Sequence, residues 1–180
     1  PLQSGDDDVL KRMGRRYTTG EFRFYVQRAR DELSEPAITT DVLVGFPGET
    51  DEEFENTLQF CRRVEFSRMH VFKFSPRPGT PAADMDGHVH SRVAKRRSRR
   101  LRELGDSLAE DWAEKFVGQT VRVLLEEETA DGELVGYSDR YVRVRTWGEA
   151  GDTEEVRRVR IERATEGNLE GQIERGPARS

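Results

Sequence analysis

Apolar residues recur at helical spacing over much of the first half of the chain. Intervals of three and four predict a short helix over residues 6–13, a longer one that begins after Thr18 and ends near Pro36, and another that follows Thr50. A glutamate lies three residues after Thr18 and another lies three residues after Thr50, which is the spacing of a capping box. These segments are therefore predicted to be amphipathic helices with defined starts.

Two short apolar runs predict strands between these helices. Residues 38–46 are nearly all apolar or β-branched, as expected of a strand buried on both faces of a parallel sheet, and residues 69–74 form the next strand. Helices alternating with strands are typical of an α/β domain, in which ligands bind at the C-terminal ends of the strands. Two Gly/Pro-rich loops, residues 46–50 and 75–82, fall at such ends.

The hydrophobic pattern changes in the second half of the chain. Residues 91–116 predict one long helix, whose first half carries only cationic charges. Beyond it, four runs with a period of two, separated by Gly- and Asp-containing turns, predict a small antiparallel β-barrel. We therefore expect a first domain over 1–116, a barrel over 117–175 and a disordered tail over 176–180.

Composition narrows the class of protein. The chain is 34% hydrophobic and 36% charged, with a formal net charge of -5, which suits two modest cores. No apolar run approaches the roughly 20 residues that span a bilayer, so we expect a cytoplasmic monomer with no membrane partner. The single cysteine, Cys61, fits a half-buried structural thiol in a helix, and we expect no metal site. Because the chain begins at Pro1 with what resembles a strand end, we expect a fragment of a longer protein.

Several residues could carry chemistry in the first domain. The turn at Gly45 and Gly48 precedes a helix N-terminus that could receive a nucleotide or a carboxylate, although an ordinary tight turn has the same pattern. Asp41 needs a polar partner inside its apolar strand, either a ligand or a structural network. Arg77, between two prolines, could clamp a phosphate or a carboxylate, or be an incidental surface residue.

The barrel offers a candidate nucleic-acid surface. Alternation places Tyr141, Arg143 and Arg145 on one face of a strand, where an aromatic ring and arginines could stack on bases and contact phosphates. The cationic half of the long helix adds a second basic surface. Nearby glutamates leave a merely solvated face, or a helix paired within the chain, as the alternative.

The order of four motifs resembles the radical-SAM methylthiotransferase family. These are PLQSG at 1–5, TTDVLVGFPGET at 39–50, FSPRPGTPA at 74–82 and GYSDRYVRV at 136–144. The resemblance implies the C-terminal part of a partial TIM-like radical-SAM barrel followed by a TRAM domain, a small OB-like β-barrel. The sequence of residues 69–82 resembles the branch that acts on threonylcarbamoyladenosine beside the tRNA anticodon more closely than it resembles the isopentenyladenosine branch.

The resemblance also implies cofactors and site residues. The family inserts a methylthio group by S-adenosylmethionine (SAM) radical chemistry and uses two [4Fe–4S] clusters, whose cysteines this sequence lacks, so we expect the chain alone to be inactive. The implied partners are the anticodon stem–loop of tRNA and a missing N-terminal part of the same protein. Arg77, Tyr141, Arg143 and Arg145 would bind the substrate. The implied SAM contacts are Gln3, Ser4, Asp41, Val44, Gly45, Val71, Phe72 and Phe74.

Other functions remain open from the sequence. The chain could belong to the isopentenyladenosine branch, or be an RNA-binding module without catalysis. It could also belong to another radical-SAM enzyme whose substrate is not RNA.

Overall fold

The computed structural model describes residues 1–175 and divides into two compact units. Unit 1 is Pro1–Leu108, and unit 2 begins at Ala109. This division precedes the predicted boundary at residue 116, because Ala113 and Phe116 are buried in the core of the barrel. The predicted disordered tail, residues 176–180, lies outside the described residues.

Unit 1 alternates helices and strands as the sequence predicted. Both capping boxes are present, with Thr18 accepting from the Glu21 N–H and Thr50 accepting from the Glu53 N–H. The elements are α1 (Asp7–Arg12), α2 (Thr19–Glu32), β1 (Thr39–Val44), α3 (Asp51–Val64), β2 (Arg68–Lys73), a 3₁₀ turn (Pro81–Ala83) and α4 (Ser91–Glu114), which continues into unit 2.

The strands of unit 1 are parallel, which confirms the α/β class. Asp41 of β1 lies opposite His70 of β2, and Leu43 lies opposite Phe72. The first residues of the chain join the same sheet, because the Gln3 N–H donates to the Asp41 carbonyl at 2.9 Å and the Leu43 N–H donates to the Gln3 carbonyl at 2.8 Å.

The prediction that residues 38–46 are buried on both faces is wrong. Thr40, Val42 and Val44 are buried, whereas Asp41 and Leu43 between them are partly exposed. The alternation arises because the helices of unit 1 cover one face of the sheet. The core on that face is formed by Leu2, Val26, Val42, Val44, Phe54, Leu58, Phe60, Cys61, Val64, Phe66, Val71 and Leu101.

Unit 2 is a closed five-stranded barrel with the strand order β3-β4-β5-β7-β6. Four strands match the period-two runs, and the fifth, β7, was not predicted. The barrel is not wholly antiparallel as predicted, because β5 and β7 pair in parallel. The strands are β3 (Thr120–Glu128), β4 (Glu133–Ser138), β5 (Arg143–Trp147), β6 (Val156–Thr165) and β7 (Asn168–Ile173).

Inward-facing aliphatic residues fill the barrel, and Phe116 closes its core with the ring of Trp112 edge-on at 5.2 Å. The Trp112 indole N–H donates to the carbonyl of Arg140 at 3.3 Å. These contacts explain why the last turns of α4 group with the barrel. No helix within residues 1–175 is long and apolar enough to cross a membrane.

Candidate functional site

A cavity of about 570 Å³ opens beyond the C-terminal ends of β1 and β2. Its size is typical of pockets that hold small ligands. Two of the predicted SAM contacts, Gly45 and Phe74, line it. The full lining is Gly45, Lys73, Phe74, Ser75, Pro76, His88, Val89, Ser91 and Ala94.

An aromatic wall forms one side of this cavity. The Phe74 ring lies edge-on to Phe46, with 5.3 Å between centroids, and stacks on the His88 ring at 6.0 Å and an interplanar angle of 29°. His88 is exposed, yet its ring is held against Phe74. Stacked planar rings beside a cavity suit a purine base or another flat ligand.

A buried ion pair fixes the loop that follows β1. Gly45 has φ +77°, and its N–H donates to Glu49 Oε2 at 2.8 Å. Arg97 Nη1 donates to the same Oε2 at 2.7 Å and to the Glu49 carbonyl at 2.9 Å. Arg97 Nη2 also reaches Asp51 Oδ1 at 2.8 Å. Because Arg97 and Glu49 are only 3% and 5% exposed, water screens this pair little.

Burial and pairing act in opposite directions on the two carboxyl groups. Burial raises the pKa of Glu49, although the Gly45 N–H and Arg97 both favour its charged form. The hydrogen bond from Arg97 lowers the pKa of Asp51, which lies at the surface. Arg97 therefore links a buried acid to an exposed one, and its own Nε is buried with no hydrogen-bond partner among residues 1–175.

The cationic half of α4 is largely paired within unit 1. Arg97 is buried, Arg100 lies 2.9 Å from Glu55, and Arg102 Nη2 donates to the Val71 carbonyl at 3.2 Å. The structure thus favours the paired helix face over the cationic ridge that we considered for RNA. Glu49 and Arg97 were both missed as site residues, although a carboxylate inside a Gly-rich turn was a signal for the first.

Several predicted SAM contacts are on the partly exposed face of the sheet. Asp41 Oδ1 lies 3.6 Å from His70 Nδ1, with both side chains about half exposed, so the polar partner that Asp41 required is a neighbouring histidine. Phe72 is 52% exposed. Gln3 is half-buried and has φ +67°, a strained conformation for a residue other than glycine.

Other predicted contacts point into the core. Ser4 is fully buried, with its Oγ 3.1 Å from Thr57 Oγ1, and Val44 and Val71 belong to the hydrophobic core. The side chains of these three residues are therefore not available to a ligand at the sheet. Arg77 lies on the exposed 75–82 loop, where its carbonyl accepts from the Thr80 hydroxyl at 2.8 Å.

In unit 2, the side chains of β5 alternate as predicted. Val144 and Thr146 point inward, and Arg145 is exposed on the other face with its Nη1 4.0 Å from Glu133 Oε2. Arg143 is half-buried on this face, and Tyr141, just before the strand, is 71% exposed. Trp147 extends the same face, is 64% exposed and was missed because the predicted strand ended at Arg145.

Comparisons with known proteins find a family match in each unit. Residues 1–61 match the radical SAM superfamily, and residues 114–173 match the TRAM domain. A threonylcarbamoyladenosine tRNA methylthiotransferase of Thermotoga maritima is 45% identical over 79% of this chain and 33% of its own length. One from Bacillus subtilis is 39% identical over 97% of this chain and 40% of its own length.

Relatives that have a different name are also similar to this chain. A tRNA-2-methylthio-N(6)-dimethylallyladenosine synthase of Aquifex aeolicus is 37% identical over 96% of this chain and 39% of its own length. The chain thus spans about a third to two fifths of the length of these curated relatives. A radical-SAM segment followed by a TRAM domain, together with these relatives, shows that the chain belongs to the radical-SAM methylthiotransferase family.

Proposed function

We propose that this chain supplies a SAM-facing wall and an RNA-binding barrel to a tRNA methylthiotransferase that acts on threonylcarbamoyladenosine. The observation that carries the proposal is the aromatic-walled cavity at the ends of β1 and β2, where Gly45 and Phe46 belong to the residues that match the radical SAM superfamily. Ligands of α/β folds bind at this end of the strands. The TRAM match of unit 2 supports tRNA as the partner.

The cavity fits the adenosine part of SAM. Phe74 and His88 offer aromatic faces to the adenine, and Gly45 lines the cavity at a point where its missing Cβ lets Ala94 of α4 pack closely. Asp41 and Phe72, on the partly exposed face of the sheet, would contact the remainder of the cofactor. When bound in the complete enzyme, SAM supplies the methyl group and the radical chemistry of the family.

The described residues do not fit an iron–sulfur cluster. Cluster ligands are thiolates, whereas Cys61 is fully buried and burial raises its pKa to about 12. Residues 1–175 contain no group of three or more His, Cys, Asp or Glu that could hold a metal ion. We therefore propose that residues outside this sequence hold the family's clusters and that the chain alone lacks methylthiotransferase activity.

Arg77 is the residue that we propose to distinguish the two substrates. A threonylcarbamoyl group carries a carboxylate, which a guanidinium can bind with two parallel hydrogen bonds. A dimethylallyl group is uncharged and offers no such partner. Because relatives of both names are similar to this chain, the dimethylallyladenosine substrate is the second candidate.

Calorimetric titration of the chain with SAM tests the role of unit 1. We expect saturable binding that Phe74→Leu weakens by about tenfold, because the substitution keeps an apolar side chain and removes the stacking face. Phe24→Leu is the matched control, since Phe24 is 59% exposed on α2 and does not line the cavity. Tight RNA binding without any SAM binding would favour the module without catalysis.

A further inference from the structure

Three large apolar side chains lie side by side on the outer face of the barrel. In the strand register, Leu124 of β3 is opposite Val156 of β6 on one side and Tyr137 of β4 on the other. They are 42%, 48% and 40% exposed, respectively. We call these three residues the apolar row. Contiguous exposed apolar groups of this kind mark binding surfaces more often than isolated ones do.

Two arginines face each other immediately beside the apolar row. Arg122 of β3 is the register partner of Arg158 of β6, and both are exposed. Like charges directly opposite each other destabilise a sheet unless a counter-charge is present. Glu174 lies 3.1 Å from Arg158, whereas Arg122 forms no ion pair within residues 1–175. This pair, the basic row, therefore carries an excess of positive charge.

A polar cavity of about 260 Å³ opens at the basic row. Arg140 adds a third guanidinium to its lining, and Asp139 is the single carboxylate there. The other lining residues are Phe116, Gln119, Thr120, Val121, Arg122 and Arg158. Three arginines around one small cavity favour an anion the size of a phosphate group.

The two rows are two residues apart along each strand, which corresponds to about 7 Å. At the far end of the apolar row, Tyr137 is opposite Arg143, and the exposed ring of Tyr141 lies two residues earlier in the sequence. Cations thus border the apolar row along one side and at one end. Single-stranded nucleic acids are bound by this combination of stacking surface and phosphate contacts.

Deepening the proposed function, on which this inference rests, we propose that this face of the barrel binds an unpaired nucleotide of the RNA. The base lies on the apolar row, and its phosphate lies between Arg122 and Arg158. Bases inside a duplex are stacked on one another and cannot reach such a row, so the site selects single-stranded RNA or a loop. Arg145, which is on β5 outside these rows, would serve paired and unpaired RNA alike.

Not every exposed arginine of the barrel fits this role. Arg157 is 2.8 Å from Asp152, and Arg163 donates to Glu170, so both are neutralised within the barrel. Arg163 is on the same strand as Arg158 and is equally exposed, at 70% of its side chain. Arg157→Gln/Arg163→Gln is therefore a control with the same change of net charge as a double substitution in the basic row.

Fluorescence anisotropy of the full 180-residue chain with two labelled RNAs tests the site. The RNAs are a single-stranded oligouridylate and a self-paired hairpin of equal length, both at fixed salt. We expect Tyr137→Leu to weaken oligouridylate binding about tenfold and hairpin binding by less than about twofold, with Tyr137→Phe near the original affinity. The double variant Arg122→Gln/Arg158→Gln should lower the salt slope for the oligouridylate by about one to two.

The possible results distinguish a failure of this site from a failure of the proposed function. If Tyr137→Leu and the double arginine variant bind oligouridylate as tightly as Arg157→Gln/Arg163→Gln does, while Arg145→Gln binds weakly, the site is wrong and RNA binding by the barrel stands. If the unaltered chain binds neither RNA, both the site and the RNA-binding role are overturned. Circular dichroism spectra that match the unaltered chain confirm that each variant is folded.

Discussion

Arg97 Nη1 lies 2.7 Å from Glu49 Oε2 in the interior of unit 1, and the same carboxylate oxygen accepts the N–H of Gly45. Through this one carboxylate, the helix α4 is tied to the loop that follows β1. The loop borders the cavity where we place SAM. The ion pair is therefore a positioning device for the candidate site, with no direct contact to a ligand required.

Removing one partner of this pair should destabilise unit 1 strongly. Arg97→Met leaves the Glu49 carboxylate buried without its cation, for which we expect a loss of about 3–5 kcal/mol in the free energy of unfolding. The exposed Arg99 on the same helix is the matched control, and Arg99→Met should cost less than about 0.5 kcal/mol. Urea unfolding should be followed by far-UV circular dichroism, because Trp112 and Trp147 both belong to unit 2.

The double variant Glu49→Leu/Arg97→Met provides the complementary test. Without either charge, the interior contains no unpaired ion, so the double variant should be more stable than Arg97→Met alone. Additive losses from the two substitutions would contradict the pairing.

The thiol of Cys61 should be inert in the folded protein. It is fully buried and its pKa is raised to about 12, so hardly any thiolate is available at neutral pH. We expect reaction with a thiol reagent such as dithionitrobenzoate only as fast as unit 1 opens, and immediate reaction in concentrated urea. Cys61→Ala/Ser34→Cys, which places a thiol at an exposed position, should react at once without denaturant. Rapid labelling of native Cys61 would show that α3 is not packed as described.

The ion pair between Arg12 and Glu53 should make the stability of unit 1 depend on acid pH. Arg12 Nη2 lies 2.8 Å from Glu53 Oε2, and this hydrogen bond is the main cause of the lowered pKa of Glu53. Because the folded-state pKa lies below the ordinary value of about 4.3, the contribution is complete above that value and is lost as pH falls through the lowered pKa. We expect a loss of about 1 kcal/mol, since Arg12 is partly solvated.

Urea unfolding at neutral pH and near pH 3 measures this change. Glu53→Gln should reduce the pH dependence by the amount assigned to the pair. Glu52→Gln, an exposed neighbour on the same helix turn, should leave the pH dependence unchanged. If the two substitutions changed the pH dependence equally, the ion pair would not be its cause.

The barrel of unit 2 requires glycine at position 171. A Cβ there would overlap the carbonyl of Arg160 on the neighbouring strand, so Gly171→Ala must displace backbone and not merely a side chain. We expect the free energy of unfolding to fall by about 2–3 kcal/mol or more. Tryptophan fluorescence in urea measures this change. Gly151→Ala is the control, because a Cβ at Gly151 meets nothing within 4 Å. Similar midpoints for both variants would indicate that β7 does not close the barrel as described.

Local signals explain which parts of this fold the sequence predicted. Thr18 and Thr50 start their helices through contacts three residues away, and the strands β1 and β2 follow from short apolar runs. The strand β7 was missed because NLEGQI contains only two apolar residues, and its pairing with β5 and β6 depends on distant segments.

The candidate site depended more on tertiary structure. Arg97 lies at helical spacing from Ala94 and Leu101 and is buried, whereas Arg99 on the same helix is exposed. The carboxylate that pairs with Arg97 belongs to Glu49, which is distant in sequence and could not be predicted from the helix pattern. Likewise, Leu124, Tyr137 and Val156 are far apart in sequence and become one row only through strand register. Residues on one strand, such as Arg143 and Arg145 of β5, could be placed on one face from alternation alone.

The proposed substrate is tested by the affinity of the chain for three anticodon stem–loops that differ only in the adenosine beside the anticodon. The adenosine is unmodified, threonylcarbamoylated or dimethylallylated, and binding is measured by anisotropy at several salt concentrations. We predict salt-sensitive binding to all three, tightest for the threonylcarbamoyl form, with the preference abolished by Arg77→Gln. Equal affinity for the three stem–loops, or no binding to any of them, would show that the chain does not recognise threonylcarbamoyladenosine.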